Sequence, residues 1–136
     1  MSNPSVSVII PSVRNHEELD IVLQGLKKQS YSGELEVVVV GPTNDPGREI
    51  CELHDIRFID DEGSRTRADA CNIAINSTSS ELILFTDDDV IVPEDWVEKL
   101  VSWFDNEEVS GVGGPNFAPV DESTMWQQVI DVAFCS

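Results

Sequence analysis

Positive charge is scarce in this chain. Eight Lys and Arg stand against 26 Asp and Glu in 136 residues, which gives a formal net charge of −18 at pH 7. A surface that binds nucleic acid needs a basic patch, so the composition argues against nucleic acid as a partner. The acids are scattered along the chain, and we interpret them as a solvated surface suited to high salt, where self-repulsion is screened. A halophilic source is therefore a hypothesis.

Cysteines and long apolar runs are also few. Cys51, Cys71 and Cys135 are odd in number and widely spaced, without a CxxC pair. This pattern predicts buried or free thiols in a reducing cytoplasm rather than disulfides or a zinc site. No apolar run approaches the roughly 18 residues of a membrane span, and no signal peptide is visible. We therefore expect a cytoplasmic protein, at the membrane face if the full-length protein carries later spans.

The chain does contain a regular alternation of apolar runs and helical patterns. Strand-like runs occupy residues 6–10, 35–40, 56–59, 82–85 and 109–112. Helical patterns begin after residue 15, near residues 48 and 65, after Pro93 and at residue 123. This order predicts an α/β domain with a mostly parallel sheet flanked by helices.

The first helix has the clearest pattern. Asn15 and Glu18 have the spacing of a capping box, which predicts the helix start. Its apolar residues recur at helical spacing and predict one buried face, formed by Leu19, Val22, Leu23 and Leu26.

Three consecutive aspartates, Asp87, Asp88 and Asp89, follow the run at 82–85. About one run of three acids is expected by chance in so acidic a chain, so the position of this one matters more than its existence. The unbroken apolar run predicts a strand buried on both faces, and ligands of open α/β sheets lie beyond the carboxyl ends of such strands. If extension persists, Asp87 and Asp89 point one way and Asp88 the other. Carboxylate oxygens suit Mg²⁺ or Mn²⁺, which in turn would hold a phosphate.

Two arginines open the helix before this strand. Arg65 and Arg67 could contact a phosphate, which guanidinium groups bind well, or could only balance the acids at 60–62. The chain has no GxGxxG and no Walker A motif, so neither dinucleotide nor P-loop chemistry is supported.

Four segments, in order, resemble the family 2 glycosyltransferases. They are 6–12 (VSVIIPS), 67–74 (RADACNIA) with Asn72, 85–89 (FTDDD) with Pro93 and Trp96 downstream, and 111–115 (GVGGP). The resemblance runs from about Ser5 to Asn116. It implies a Rossmann-like GT-A nucleotide-diphospho-sugar transferase fold, truncated in this chain.

The resemblance also implies a nucleotide-diphosphate sugar donor, Mn²⁺ or Mg²⁺, and inverting transfer to a hydroxyl of a glycan or lipid-linked acceptor. Asp87 or Asp88 would contact the ribose or sugar, and Asp89 the metal on the diphosphate. The implied donor-binding residues are Pro11, Ser12, Val13, Asp45, Arg67, Asn72, Asp87 and Asp88, and the implied metal ligands are Asp89 and Asp87.

The chain departs from the family pattern in three places. The family usually has an acidic residue just after the second strand that contacts the nucleobase, which Pro11, Ser12 and Val13 would line. This chain has Gly41 and Pro42 there, and Asp45 is the expected substitute. Arg14 stands where Asn is common. Nothing after residue 116 matches the segment with the catalytic base, so the catalytic residue stays unassigned.

These departures lead to an expected division of the chain. Residues 1–116 form the donor-binding domain, and 117–136 begin an incomplete acceptor-side region. An exposed apolar seam on the last helix predicts a homodimer through Val129, Val132, Ala133 and Phe134.

Three other interpretations stay open at this stage. A non-catalytic nucleotide- or partner-binding module of the same fold would fit the missing base segment. A nucleotidyltransferase would also place metal-bound carboxylates after a strand, but it would carry a Gly-rich basic loop after its first strand. A receiver-type domain would carry its acids after that first strand.

Overall fold

A computed structural model describes residues 3–115, in which strands and helices alternate. The strands are β1 (Val6–Pro11), β2 (Leu35–Gly41), β3 (Arg57–Asp60) and β4 (Leu82–Phe85). The helices are α1 (His16–Lys27), α2 (Gly47–Leu53), α3 (Arg67–Asn76) and α4 (Trp96–Ser102), and a 3₁₀ turn at Trp103–Asp105 follows. The first four predicted strands and first four predicted helices are confirmed, with ends that differ by up to three residues.

The four strands form one parallel sheet in the order β3-β2-β1-β4. The predicted α/β class with a parallel sheet is therefore confirmed. The chain runs outward from β1 through β2 to β3, and then returns to place β4 on the other side of β1. The strand order reverses between β1 and β4, which is the position where open α/β sheets bind their ligands.

Both faces of the two central strands are buried. On one face, α3 packs against β1 and β2 through a cluster of Ile9, Val38, Val40, Ala70 and Ala74. The side chains that alternate with these along the strands are also fully buried, namely Val6, Val8, Ile10 and Val39. This is the burial that the β-branched runs predict.

The helix α1 buries the face that its spacing predicts, because Leu19, Val22, Leu23 and Leu26 are all buried. The predicted capping box is wrong in its chemistry. Asn15 does occupy the N-cap position, but its side chain accepts no capping hydrogen bond. A side-chain cap occurs instead at α3, where Thr66 Oγ1 accepts from the Asp69 backbone N–H at 3.1 Å.

Two predictions about strands are also wrong. Residues 109–112 form no strand, because the Val109 N–H donates to the Asn106 carbonyl in a turn and glycines follow. β4 is not buried on both faces, since it lies at the edge of the sheet within residues 3–115 and leaves Phe85 49% exposed. The predicted helix at 123–134, and with it the predicted dimer seam, lies outside the described residues.

The chain divides into two compact units, Met1–Lys99 and Leu100–Ser136. The sheet and the first three helices lie in the first unit. The expected boundary at residue 116 stays a prediction. No helix within the described part of the chain is long and apolar enough to cross a membrane.

Candidate functional site

The loop after β1 and the loop after β4 meet at the carboxyl edge of the sheet. The Ser12 N–H continues the ladder by donating to the Val40 carbonyl at 3.0 Å, and Ser12 is 2% exposed. Its hydroxyl donates to Asp88 Oδ2 at 2.7 Å. This hydrogen bond crosses the point where the strand order reverses, so it joins two predicted donor-binding residues at the expected ligand position.

Asp87 is paired with a cation from the start of α3. Its Oδ1 accepts a hydrogen bond from Arg67 Nη2, and this bond raises the pKa of the guanidinium. Both side chains are well exposed, so the pair adds little to stability. The geometry does bring a guanidinium next to the aspartate triplet, and guanidinium groups bind phosphate well.

Asp89 is exposed and makes no hydrogen bond or ion pair with another residue of the described range. Among residues 3–115, no group of three His, Cys, Asp or Glu side chains is close enough to hold a metal ion. Two carboxylates are nevertheless a fitting protein contribution to Mg²⁺ or Mn²⁺, because such ions commonly keep waters and substrate phosphate oxygens as their other ligands. The oxygen donors of Asp89 and Asp87 therefore fit a metal that arrives with a diphosphate.

An open pocket of about 510 Å³ lies between α3 and β4. Arg67 and Asn72, two predicted donor-binding residues, line it together with Cys71 and Phe85. The sequence-predicted residues of α3 therefore face one shared space next to the aspartate triplet.

The remaining predicted residues belong to the β1 side of the edge. Pro11 ends β1, and Val13 is 60% exposed. Asp45 is 5% exposed, and its two carboxylate oxygens accept hydrogen bonds from the backbone N–H groups of Arg14 and Gly47. Asp45 therefore lies inside the loop structure, whereas the family resemblance implies that it contacts the nucleobase.

Sequence reasoning missed a polar cluster beside β3. Thr43 donates its hydroxyl to Asp60 Oδ2, and the Glu62 N–H donates to Asp60 Oδ1 at 2.7 Å. These hydrogen bonds lower the pKa of the Asp60 carboxyl. The Arg48 guanidinium lies 4.5 Å from the centre of the Phe58 ring. The pairing of Gly41 with Asp60 in the sheet register would have indicated the cluster, had the register been known.

Gly41 itself lies against the backbone of the β1 loop. A Cβ at this position would come within 2.3 Å of the Ser12 carbonyl oxygen. No side chain fits there without movement of one strand end, so this glycine permits the close approach of β1 and β2 at the ligand edge.

Comparisons with known proteins identify the family of the chain. The family model described as "Glycosyl transferase family 2" matches residues 7–133. An N-acetylglucosaminyltransferase from Sinorhizobium fredii is 30% identical over 96% of this chain and 34% of its own length. One from Bradyrhizobium elkanii is 32% identical over 82% of this chain and 65% of its own length. The chain thus spans about one third and about two thirds of these relatives.

Solved structures show the same fold. A mannosyltransferase from Pyrobaculum calidifontis in complex with GDP-Man and Mn²⁺ is 26% identical, with a TM-score of 0.72 over 89% of this chain and 38% of that one. Glucosyl-3-phosphoglycerate synthase from Mycobacterium tuberculosis, solved with Mn²⁺ and UDP, is 17% identical, with a TM-score of 0.65 over 74% of this chain and 39% of that one. The chain has the GT-A glycosyltransferase fold and belongs to glycosyl transferase family 2.

Proposed function

We propose that this chain supplies the donor-binding part of a metal-dependent, inverting glycosyltransferase. The observation that carries the proposal is the Ser12–Asp88 hydrogen bond, which joins the loops after β1 and β4 where the strand order reverses. The mannosyltransferase of the same fold is solved with a nucleotide sugar and Mn²⁺. A cytoplasmic location, at the membrane face if later spans exist, remains part of the proposal.

The proposed donor contacts divide between the two sides of the edge. Pro11, Ser12 and Val13 line the nucleobase, because they end β1 and begin the loop after it at the ligand edge, where Val13 is exposed. Arg67 and Asn72 face the diphosphate and sugar from α3, since both line the pocket beside the triplet. Asp87 or Asp88 contacts the ribose or sugar.

Asp89 and Asp87 are the proposed ligands for Mn²⁺ or Mg²⁺. The metal would neutralise the charge that develops on the departing diphosphate. Because Arg67 is already paired with Asp87, the guanidinium is close enough to exchange this carboxylate for a phosphate oxygen. We therefore expect metal and diphosphate to bind together more tightly than either does alone.

Inverting transfer needs an acceptor oxygen to attack the sugar carbon from the side opposite the diphosphate. The new bond joins the acceptor oxygen to that carbon, while the carbon–oxygen bond to the nucleoside diphosphate breaks and the diphosphate keeps the electron pair. A general base must take the acceptor proton. That base is unassigned. The two curated relatives make N-acetylglucosamine the first sugar to test, with a glycan or lipid-linked acceptor.

Calorimetric titration of UDP and GDP, with Mn²⁺ and with EDTA, tests the proposal. We expect one of the two diphosphates to bind in the presence of Mn²⁺. With EDTA its affinity should fall at least about tenfold, because without the metal the carboxylates repel the phosphates. Asp89→Asn should weaken Mn²⁺-dependent binding to a similar extent. The preferred base would identify the donor class.

Asp55→Asn is the matched control. Asp55 is an exposed residue before β3, at the opposite edge of the sheet, and its φ of 55° is one that Asn also adopts. The control makes the same chemical change and alters the net charge equally, so it should bind like the unaltered chain. A folded chain that binds neither diphosphate would favour the non-catalytic partner-binding module.

A further inference from the structure

Asp45 carries a buried carboxylate that holds two loops together. Its Oδ2 accepts from the Arg14 N–H at 2.7 Å, and its Oδ1 accepts from the Gly47 N–H at 2.8 Å. A buried carboxylate is costly unless its oxygens are hydrogen-bonded, and here backbone donors serve both oxygens. The side chain therefore ties the loop after β1 to the first residue of α2.

Arg14, whose N–H donates to Asp45, has an unusual backbone conformation. Arg14 has a φ of 58°, in the left-handed region that disfavours residues other than Gly, Asn and Asp. Such a conformation persists only where surrounding interactions hold it. The hydrogen bond from the Arg14 N–H to the buried Asp45 is an interaction of this kind.

The loop between these contacts is short. We define the β1 loop as Ser12, Val13 and Arg14. The Ser12 hydroxyl is bound to Asp88, and the Arg14 N–H is bound to Asp45. Carboxylates from two other loops thus fix both ends, and Val13 between them stays 60% exposed at the ligand edge.

We infer that Asp45 is a positioning residue for the donor: it holds the β1 loop in the shape that receives the nucleobase and makes no contact with the base itself. This inference rests on the proposed function. The two oxygens point at backbone N–H groups in a buried setting, so Asp45 is not a replacement for the acidic base-contacting residue expected after β2. Its effect on the donor passes through Arg14.

A pair of variants separates positioning from direct contact. Asp45→Asn keeps the size of the side chain but replaces one acceptor oxygen with an amide that cannot accept, so one backbone N–H loses its partner. We expect Mn²⁺-dependent binding of UDP or GDP to weaken about tenfold. In the Arg14→Gly variant, glycine adopts the left-handed conformation without help from the hydrogen bond to Asp45. Adding Asp45→Asn to this variant should therefore lower the affinity for UDP or GDP less than about threefold.

Val22→Ala is the stability control. Val22 is buried in α1, outside the β1 loop in sequence, and its truncation lowers stability. We expect its binding to match that of the unaltered chain. Hydrogen exchange at the Arg14 amide should rise in Asp45→Asn and stay unchanged in Val22→Ala. Should Asp45→Asn unfold, Asp45→Glu, which keeps the charge but lengthens the side chain, takes its place in the same comparison.

The outcomes are distinct. Unchanged binding in Asp45→Asn overturns the inference. So does a loss from Asp45→Asn that is equally large in the unaltered chain and in the Arg14→Gly background, because the effect would then bypass the β1 loop. If the folded, unaltered chain binds neither diphosphate, the proposed function fails and the inference fails with it.

Discussion

At the scale of single residues, burial gives chemically identical side chains different roles. Asp45 is buried and serves two backbone donors, Asp88 accepts from one buried hydroxyl, and Asp89 is exposed. The overall acidity of the chain hides these differences. Of these three carboxylates, only that of Asp89 can bind a metal without losing a hydrogen bond to another residue of the described range.

The buried thiol of Cys51 should make stability depend on alkaline pH. Burial raises the pKa of this thiol from its ordinary value of 9.0 to about 11. Between these values the unfolded chain loses the proton while the folded chain keeps it. Deprotonation then favours the unfolded state, and the free energy of unfolding falls as pH rises from 9 towards 11. Urea unfolding in reductant at about pH 8, 9 and 10 measures this slope.

In Cys51→Ala, the free energy of unfolding should fall less steeply over the same pH range, because the titrating thiol is gone. Cys71→Ala retains the Cys51 thiol, so its free energy of unfolding is expected to fall as steeply as that of the unaltered chain. Equal slopes for the two variants would contradict the assignment. Tyr31, whose pKa is raised by burial and by Glu81, is present in all three proteins and cancels in the comparison.

At the scale of elements, the two helix starts invite a direct comparison. Thr66 caps α3 through its hydroxyl, whereas Asn15 precedes α1 without a side-chain cap. Thr66→Ala should therefore lower the free energy of unfolding by about 1 kcal/mol, and Asn15→Ala by less than about 0.5 kcal/mol. Chemical denaturation of both variants gives the difference. A larger loss of unfolding free energy in Asn15→Ala than in Thr66→Ala would contradict this prediction. The capping-box pattern of the sequence would then identify the stabilising cap better than the observed hydrogen bond does.

Sequence periodicity predicted the elements better than it predicted their chemistry. The β-branched runs of β1 and β2 and the apolar stripe of α1 follow from local spacing, and so does the position of the aspartates after β4. The pairs Ser12–Asp88 and Arg14–Asp45 join residues 76 and 31 positions apart, so no local pattern contains them. The supposed strand at 109–112 had apolar residues but too few of them, and a turn used its first N–H.

At the scale of the whole molecule, charge dominates. Raising KCl from about 0.1 to about 1 M shortens the screening length from about 10 to about 3 Å, which weakens repulsion among the acids. The same salt also weakens exposed ion pairs such as Arg57–Glu36, but these contribute little. We expect the melting temperature to rise by about 4 °C, which corresponds to ~1 kcal/mol in a domain of this size.

The matched measurement is the same salt series near pH 4. Many carboxylates are then protonated, so repulsion is smaller and the rise in melting temperature should shrink. A melting temperature that falls with KCl at neutral pH would contradict the idea that the acidic surface is suited to high salt.

The close contact between Gly41 and the Ser12 carbonyl limits which residues position 41 accepts. A mutation that placed an acidic side chain at position 41 would collide with the β1 loop at once, whatever benefit it offered to base recognition. The loop would have to move first, and its shape depends on Asp45. Positions 14, 41 and 45 are thus coupled through the β1 loop, and a side chain at position 41 requires that loop to shift.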